Sequence, residues 1–136
     1  MALDISELST MDATAQAELV RRKELTPLEL VDAAIARIER VNPTLNAVII
    51  PLYEDARGAA VASDLPAGPF RGVPFLLKDI GAMQKGQPYY MGNRALREAS
   101  FRSPVDTPLG ARFRAAGLIT LGKTNLPEFG MQTRAS

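Results

Sequence analysis

The stretch Gly72-Val73-Pro74-Phe75-Leu76-Leu77-Lys78-Asp79-Ile80-Gly81 decides how this chain is read. Its apolar run, Phe75-Leu76-Leu77, has the character of a strand covered on both faces, as the parallel strands of α/β proteins are. Gly72 and Pro74 punctuate its start and Gly81 its end. Open α/β sheets gather their ligands at the carboxyl ends of their strands, and there this strand delivers Lys78 and Asp79. Two readings stand on spacing alone. In one, Lys78 is a strand-end lysine reaching water with Asp79 as its partner. In the other it is partly dehydrated, which disfavours the ammonium form and suits it to act as a base.

Beyond Asp79 lies a long irregular segment to Pro104, carrying Gly81, Gly86, Pro88, Gly92 and the pair Tyr89-Tyr90, with one short helical turn expected near Ala95–Ala99. Such a loop is either functional or a packed surface excursion. Thr107-Pro108 then opens a helix with Leu109, Phe113 and Ala116 expected inward and Gly117 as its terminator. Leu118 to Leu121 reads as a short buried strand. Strand 73–77, helix 107–116 and strand 118–121 form a right-handed βαβ unit, so both parallel strands send polar residues, Lys78 and Lys123-Thr124-Asn125, to the same sheet edge. Lys123 is expected to be structural, bonding near that edge, and Lys85 sits in the loop with no strand to position it.

Gly117 to Thr124 matches the phosphate-binding pattern GxxxxGK[ST] letter for letter. That mechanism requires a strand before the first glycine, an open loop between the glycines and a helix from the lysine. Here a helix precedes Gly117, the intervening residues form the strand, and Pro127 follows closely. Amides committed to a β ladder cannot wrap a phosphate, so the match is rejected.

Upstream, residues 1–42 read as two helices that cover the core. The first runs over about 12–23. The second has Thr26 at its N-cap, Pro27 at the first helical position and Glu29 three residues after the cap. Leu30, Val31, Ala34, Ile35 and Ile38 make its apolar stripe, and Asn42-Pro43 is expected to stop it. A buried strand over 46–52, a helix of small residues over 53–64 and a loop over 65–72 follow.

Composition narrows the chemistry. The 136 residues suffice for one domain hiding roughly two-thirds of its unfolded surface. Sixteen basic residues face fifteen acidic ones with no basic stripe, which argues against a nucleic-acid partner. No apolar run approaches the ~20 residues of a membrane span, and the first residues do not form a signal peptide, so a cytoplasmic protein is expected. The chain has no histidine and no cysteine. Acid-base work within it must therefore come from Lys, Asp, Glu or Tyr.

Gly72 to Asp79 closely resembles the lysine motif of the amidase signature family. Asp106, the helix through Arg112 to Gly117, the block Gly122-Lys123-Thr124-Asn125-Leu126-Pro127-Glu128-Phe129-Gly130 and Thr26 to Val31 also match, so the resemblance covers nearly the whole chain. Lys78-Asp79-Ile80-Gly81-Ala82, Lys85-Gly86-Gln87 and Asn125 to Gly130 look most like the branch that hydrolyses 6-aminohexanoate cyclic dimer. The resemblance implies an α/β/α fold around a mixed, largely parallel sheet and hydrolysis of a small-molecule amide by a Ser–cis-Ser–Lys triad, without metal or cofactor. Only the lysine, Lys78, maps onto this chain. It would take a proton through the cis-serine and so activate the nucleophile, while backbone amides of a Gly-Ser-rich loop hold the oxyanion.

The family's serines lie beyond the GKTN block, and the sequence ends at Ser136 with no Gly-Gly pair. The chain is therefore read as the N-terminal piece of a single amidase domain, 1–136, with a helical cover over 1–42 and an α/β core portion over 46–136. On this reading it is inactive alone. Two alternatives stand beside it: a non-catalytic truncated domain, and a glutamine-dependent transamidation subunit. Homo-oligomerisation is left open.

Overall fold

A computed structural model describes residues 5–134, in the order α1 (Ile5–Leu8), α2 (Ala13–Arg21), α3 (Pro27–Leu45), β1 (Val48–Pro51), α4 (Tyr53–Val61), β2 (Pro74–Lys78), α5 (Arg94–Glu98), α6 (Pro108–Ala115), β3 (Ile119–Thr124) and a 3-10 turn at Glu128–Gly130. Residues 1–4 of the expected helical cover, and Ala135-Ser136 at the other end, lie outside the described residues. The sheet is mixed, with order β1-β3-β2: β3 runs parallel to β2 and antiparallel to β1.

The helix starts follow their local chemistry. Asp12 caps α2 by accepting from the Ala15 amide at 2.8 Å. At α3 the Thr26 hydroxyl accepts from the Glu29 amide while the Glu29 carboxylate accepts from the Thr26 amide, each at 3.2 Å. Two otherwise orphaned donors are thereby satisfied. Thr107 caps α6 by the single bond its hydroxyl accepts from the Gly110 amide at 3.3 Å.

The end of α3 differs from expectation. Pro43 does not stop the helix, which continues to Leu45 and closes with Asn46 in the left-handed region. Pro43 removes only one donor in the last turn. Asn42 compensates: its carbonyl accepts from the Asn46 amide at 2.7 Å, and its side chain holds both Ala47 and Val48. The same asparagine thus ends α3 and starts β1.

On one face of the sheet, Val31 and Ile35 of α3 and Ala56 and Ala60 of α4 pack with Ile119 and Leu121 of β3, and Leu76 joins them. Alternation sends Phe75 to the other face, where its ring meets Phe113 of α6 at 4.8 Å between centroids. A second cluster of Leu8, Leu30 and Ala33 ties α1 and α2 onto the back of α3. The apolar letter at Leu109 predicts an inward side chain, yet this residue is 47% exposed. Gly110 takes the inward position, because the loop ending at Met83 runs directly against α6.

That approach is close. A Cβ on Gly110 would lie 1.9 Å from the Met83 carbonyl oxygen, whereas one on Gly58 of α4 would meet nothing within 4 Å. Glycine-to-alanine in an exposed helix is worth about 1 kcal/mol in favour of alanine. Gly58→Ala should therefore raise the urea midpoint. Gly110→Ala should lower it, by an equivalent of roughly 1–3 kcal/mol, as overpacked sites do.

Candidate functional site

The carboxyl ends of β2 and β3 lie side by side, with Leu77 opposite Lys123 and Lys78 opposite Thr124. β3 is longer than its apolar letters indicate. It runs through Gly122, Lys123 and Thr124, so the GxxxxGKT stretch is a β ladder from Ile119 onward. Gly122 is required here, because a Cβ would lie 2.7 Å from the Ile50 carbonyl oxygen of β1.

The register between the two strands slips once. Phe75 pairs with Thr120, but Leu76 pairs with Gly122, so Leu121 is passed over. Such an extra residue bends a strand and re-aims the side chains that follow. Strict alternation from Ile119 and Leu121 would send Lys123 into the apolar layer under α3 and α4. After the slip it shares a side with Leu77, on the face opposite that layer, where Asp79 and Tyr89 lie.

Lys78 stands at the last position of β2, exposed, and its side chain makes no hydrogen bond or ion pair with any described residue. Of the two readings, the first holds in that Lys78 reaches water, but Asp79 is not its partner; the partial dehydration of the second is not supplied by the described residues. Asp79 is fully buried, and its Oδ1 accepts from the Tyr90 amide at 3.0 Å. Lys123 is not at an open sheet edge either: it is fully buried, its Nζ 6.0 Å from the centroid of the Tyr89 ring. Neither Asp79 Oδ2 nor Lys123 Nζ has a hydrogen-bond partner among the described residues.

Burial pushes the Asp79 carboxyl above the usual carboxylate range, against the lowering effect of the amides of Tyr90, Gly92 and Met91 and of the Lys123 charge. Burial likewise pushes Lys123 below the usual lysine range, against the raising effect of Asp79. Each group thus restrains the shift of the other.

The segment after Lys78 is a packed excursion held at several points. The Tyr89 hydroxyl accepts from the Gly81 amide at 3.1 Å. Gln84 links the two halves of the βαβ unit, donating to the Gly110 carbonyl at 3.2 Å and accepting from the Thr120 hydroxyl at 2.9 Å. Asp106 accepts from the Lys85 amide at 2.6 Å and from Arg114 at 3.3 Å. Farther out, Asn93 donates to Glu128 at 2.7 Å. A cleft of about 440 Å³ opens beside Asp79, between β1 and α5, with Asn46, Asn93 and Asn125 on its walls. Among the described residues no acidic cluster could hold a metal ion, and no helix is long and apolar enough to cross a membrane.

The profile of the amidase family matches residues 29–136. The 6-aminohexanoate-cyclic-dimer hydrolase of Paenarthrobacter ureafaciens is 49% identical over 121 residues, covering 89% of this chain and 24% of the relative. A glutamyl-tRNA(Gln) amidotransferase subunit from Methylococcus capsulatus is 42% identical over 117 residues, covering 82% of this chain and 24% of the relative. Among solved structures, 6-aminohexanoate cyclic dimer hydrolase complexed with substrate superposes with a TM-score of 0.85 at 45% identity, over 98% of this chain and 26% of that one. A bacterial aryl acylamidase of the amidase signature enzymes gives 0.82 at 33% identity, over 92% and 27%. The chain spans about a quarter of the length of the relatives it matches.

Removing Lys123 tests the buried pair. A carboxyl raised in the folded state costs stability above its unfolded value, and that cost fades as pH falls through the raised value. Lys123→Met leaves Asp79 without its counter-ion and raises it further. The variant should lose stability near neutral pH, by less than breaking a directly bonded buried ion pair would cost, because Asp79 keeps its amide donors. Its deficit should shrink on acidification, as Asp79 takes up a proton and the parent's own Lys123 loses its partner. Urea midpoints across that pH range check this.

Proposed function

The chain belongs to the amidase family, and we propose that it is the N-terminal portion of an amide-bond hydrolase in which Lys78 is the base of a Ser–cis-Ser–Lys triad. The observation that carries the proposal is the placement of Lys78 at the carboxyl end of β2, paired with Thr124 of β3 and left without a side-chain partner among the described residues. A lysine presented at a sheet edge on a rigid strand, with no carboxylate engaging it, is available to a hydroxyl brought from elsewhere. The two serines and the oxyanion amides would come from residues past 136. Lys78 would receive the nucleophile's proton through the cis-serine. Collapse of the tetrahedral intermediate would then expel the amine, its nitrogen taking back the proton held by Lys78, and water activated by the same base would release the acid.

On this reading the substrate is a small carboxamide of the kind cleaved by the 6-aminohexanoate-cyclic-dimer hydrolases, and the enzyme works in the cytoplasm. The identity of 49% to that hydrolase, against 42% to the amidotransferase component, favours simple hydrolysis over ammonia transfer to a partner.

The experiment is a pair of substitutions in the full-length protein, assayed with 6-aminohexanoate cyclic dimer. Arginine keeps length and charge but does not deprotonate in a protein. Lys78→Arg and Lys78→Ala should therefore both lose on the order of a hundredfold or more in rate. A near-parental Lys78→Arg enzyme would show that the residue is a structural cation. Residues 1–136 expressed alone should give no turnover of the same substrate, since they hold a base without nucleophile or oxyanion amides.

A further inference from the structure

Resting on that assignment of Lys78, we infer that Lys123, Asp79 and Tyr89 together are its positioning residues. Three observations converge. The register slip at Leu121 turns Lys123 away from the apolar layer and onto the face that Asp79 and Tyr89 occupy. Asp79 and Lys123 are both fully excluded from solvent, which is rare for such side chains, and they influence each other electrostatically without a direct ion pair. The loop that follows Lys78 closes back on its own start through two links, Asp79 to the Tyr90 amide at 3.0 Å and the Gly81 amide to the Tyr89 hydroxyl at 3.1 Å, with Lys123 lying over the Tyr89 ring.

The mechanical result is specific. Lys78 is held before its Cα by the β ladder and after it by Asp79, whose side chain is anchored on the opposite side of the sheet. The residues flanking Lys78 are therefore both held, Leu77 by pairing with Lys123 and Asp79 by the hydrogen bond from the Tyr90 amide. The backbone of Lys78 has no freedom to twist its side chain away from the edge, while the side chain itself stays free to meet a hydroxyl. The Lys78 side chain makes no hydrogen bond or ion pair with any of the three. Their effect is on where Lys78 starts.

The test uses the full-length enzyme with 6-aminohexanoate cyclic dimer, reading kcat and KM separately together with the melting temperature. Tyr89→Phe keeps the ring under Lys123 and removes only the hydroxyl that accepts from Gly81, so it should remain folded. It should lower kcat with KM near the parent value, since misplacing a base affects the transition state more than substrate binding. Lys123→Met should lower kcat on the order of tenfold to a hundredfold, as displacements of about an ångström do. Adding Asp79→Asn, which removes the stranded charge and keeps an acceptor for the Tyr90 amide, should recover part of that loss. Parental kcat in Tyr89→Phe, or a Lys123→Met loss that Asp79→Asn deepens additively, overturns the inference. Lys78→Ala is run alongside: if it retains activity, the assignment of Lys78 fails first, whereas an inactive Lys78→Ala beside an unaffected Tyr89→Phe refutes the positioning role alone.

Discussion

Asp79 and Lys123 lie in the interior with no exposed surface, where burial disfavours the charged form of each and each restrains the shift of the other. Stripping a carboxylate or an ammonium of water costs several kcal/mol even after the protein relaxes; at Asp79 the amides of Tyr90 and Gly92 offset it first and the Lys123 charge after them, while at Lys123 the offset comes from Asp79. That requirement organises the structure around it. β2 and β3 must run parallel so that their ends coincide. The register must slip by one so that Lys123 crosses to the face of Asp79. The chain after Asp79 must fold back so that the amides and the ring of residues 89–92 close over both groups. A single like-for-like apolar replacement of the pair could pack as well, but it would not dictate this register.

The same arrangement separates two tasks on neighbouring residues. Lys78 and Asp79 are consecutive, yet alternation puts them on opposite sides of the sheet, one in solvent and one in the interior. This chain thereby leaves the Lys78 side chain exposed at the strand end while the adjacent carboxylate is held in the interior. Had Asp79 turned outward as a partner for Lys78, the side chain would be occupied.

Much of this was legible in the letters. The Thr26-Pro27-Leu28-Glu29 box, the Thr107-Pro108 start, the turn near Ala95 and the parallel pairing of two short apolar runs are local signals that packing reinforced. The extent of β3 was not, because Gly122-Lys123-Thr124 has poor strand propensity. It is strand only because Ile50 and Leu77 pair on either side of it, a tertiary effect. The burial of Lys123 was hidden for the same reason: alternation predicts the wrong face once a residue is skipped, and a slip leaves no mark in one sequence. Leu109 misled because the letters showed an apolar face without showing that Met83 comes too near α6 for any side chain there. Pro43 misled because a helix-breaking residue was weighed without the three hydrogen bonds of the Asn42 side chain.

The strand order β1-β3-β2 has a consequence for synthesis. The central strand is the last of the three to leave the ribosome, so β1 and β2 emerge with no neighbour to pair with. Over the interval in which residues 52–118 are translated, at about 5–20 residues per second, the nascent chain can form α3 and α4 from local signals but cannot close the sheet. Sheet closure, burial of the two charges and placement of the lysine then fall together, at the moment Ile119–Thr124 clears the exit tunnel. Until then the apolar faces of β1 and β2 have no strand of this sheet between them.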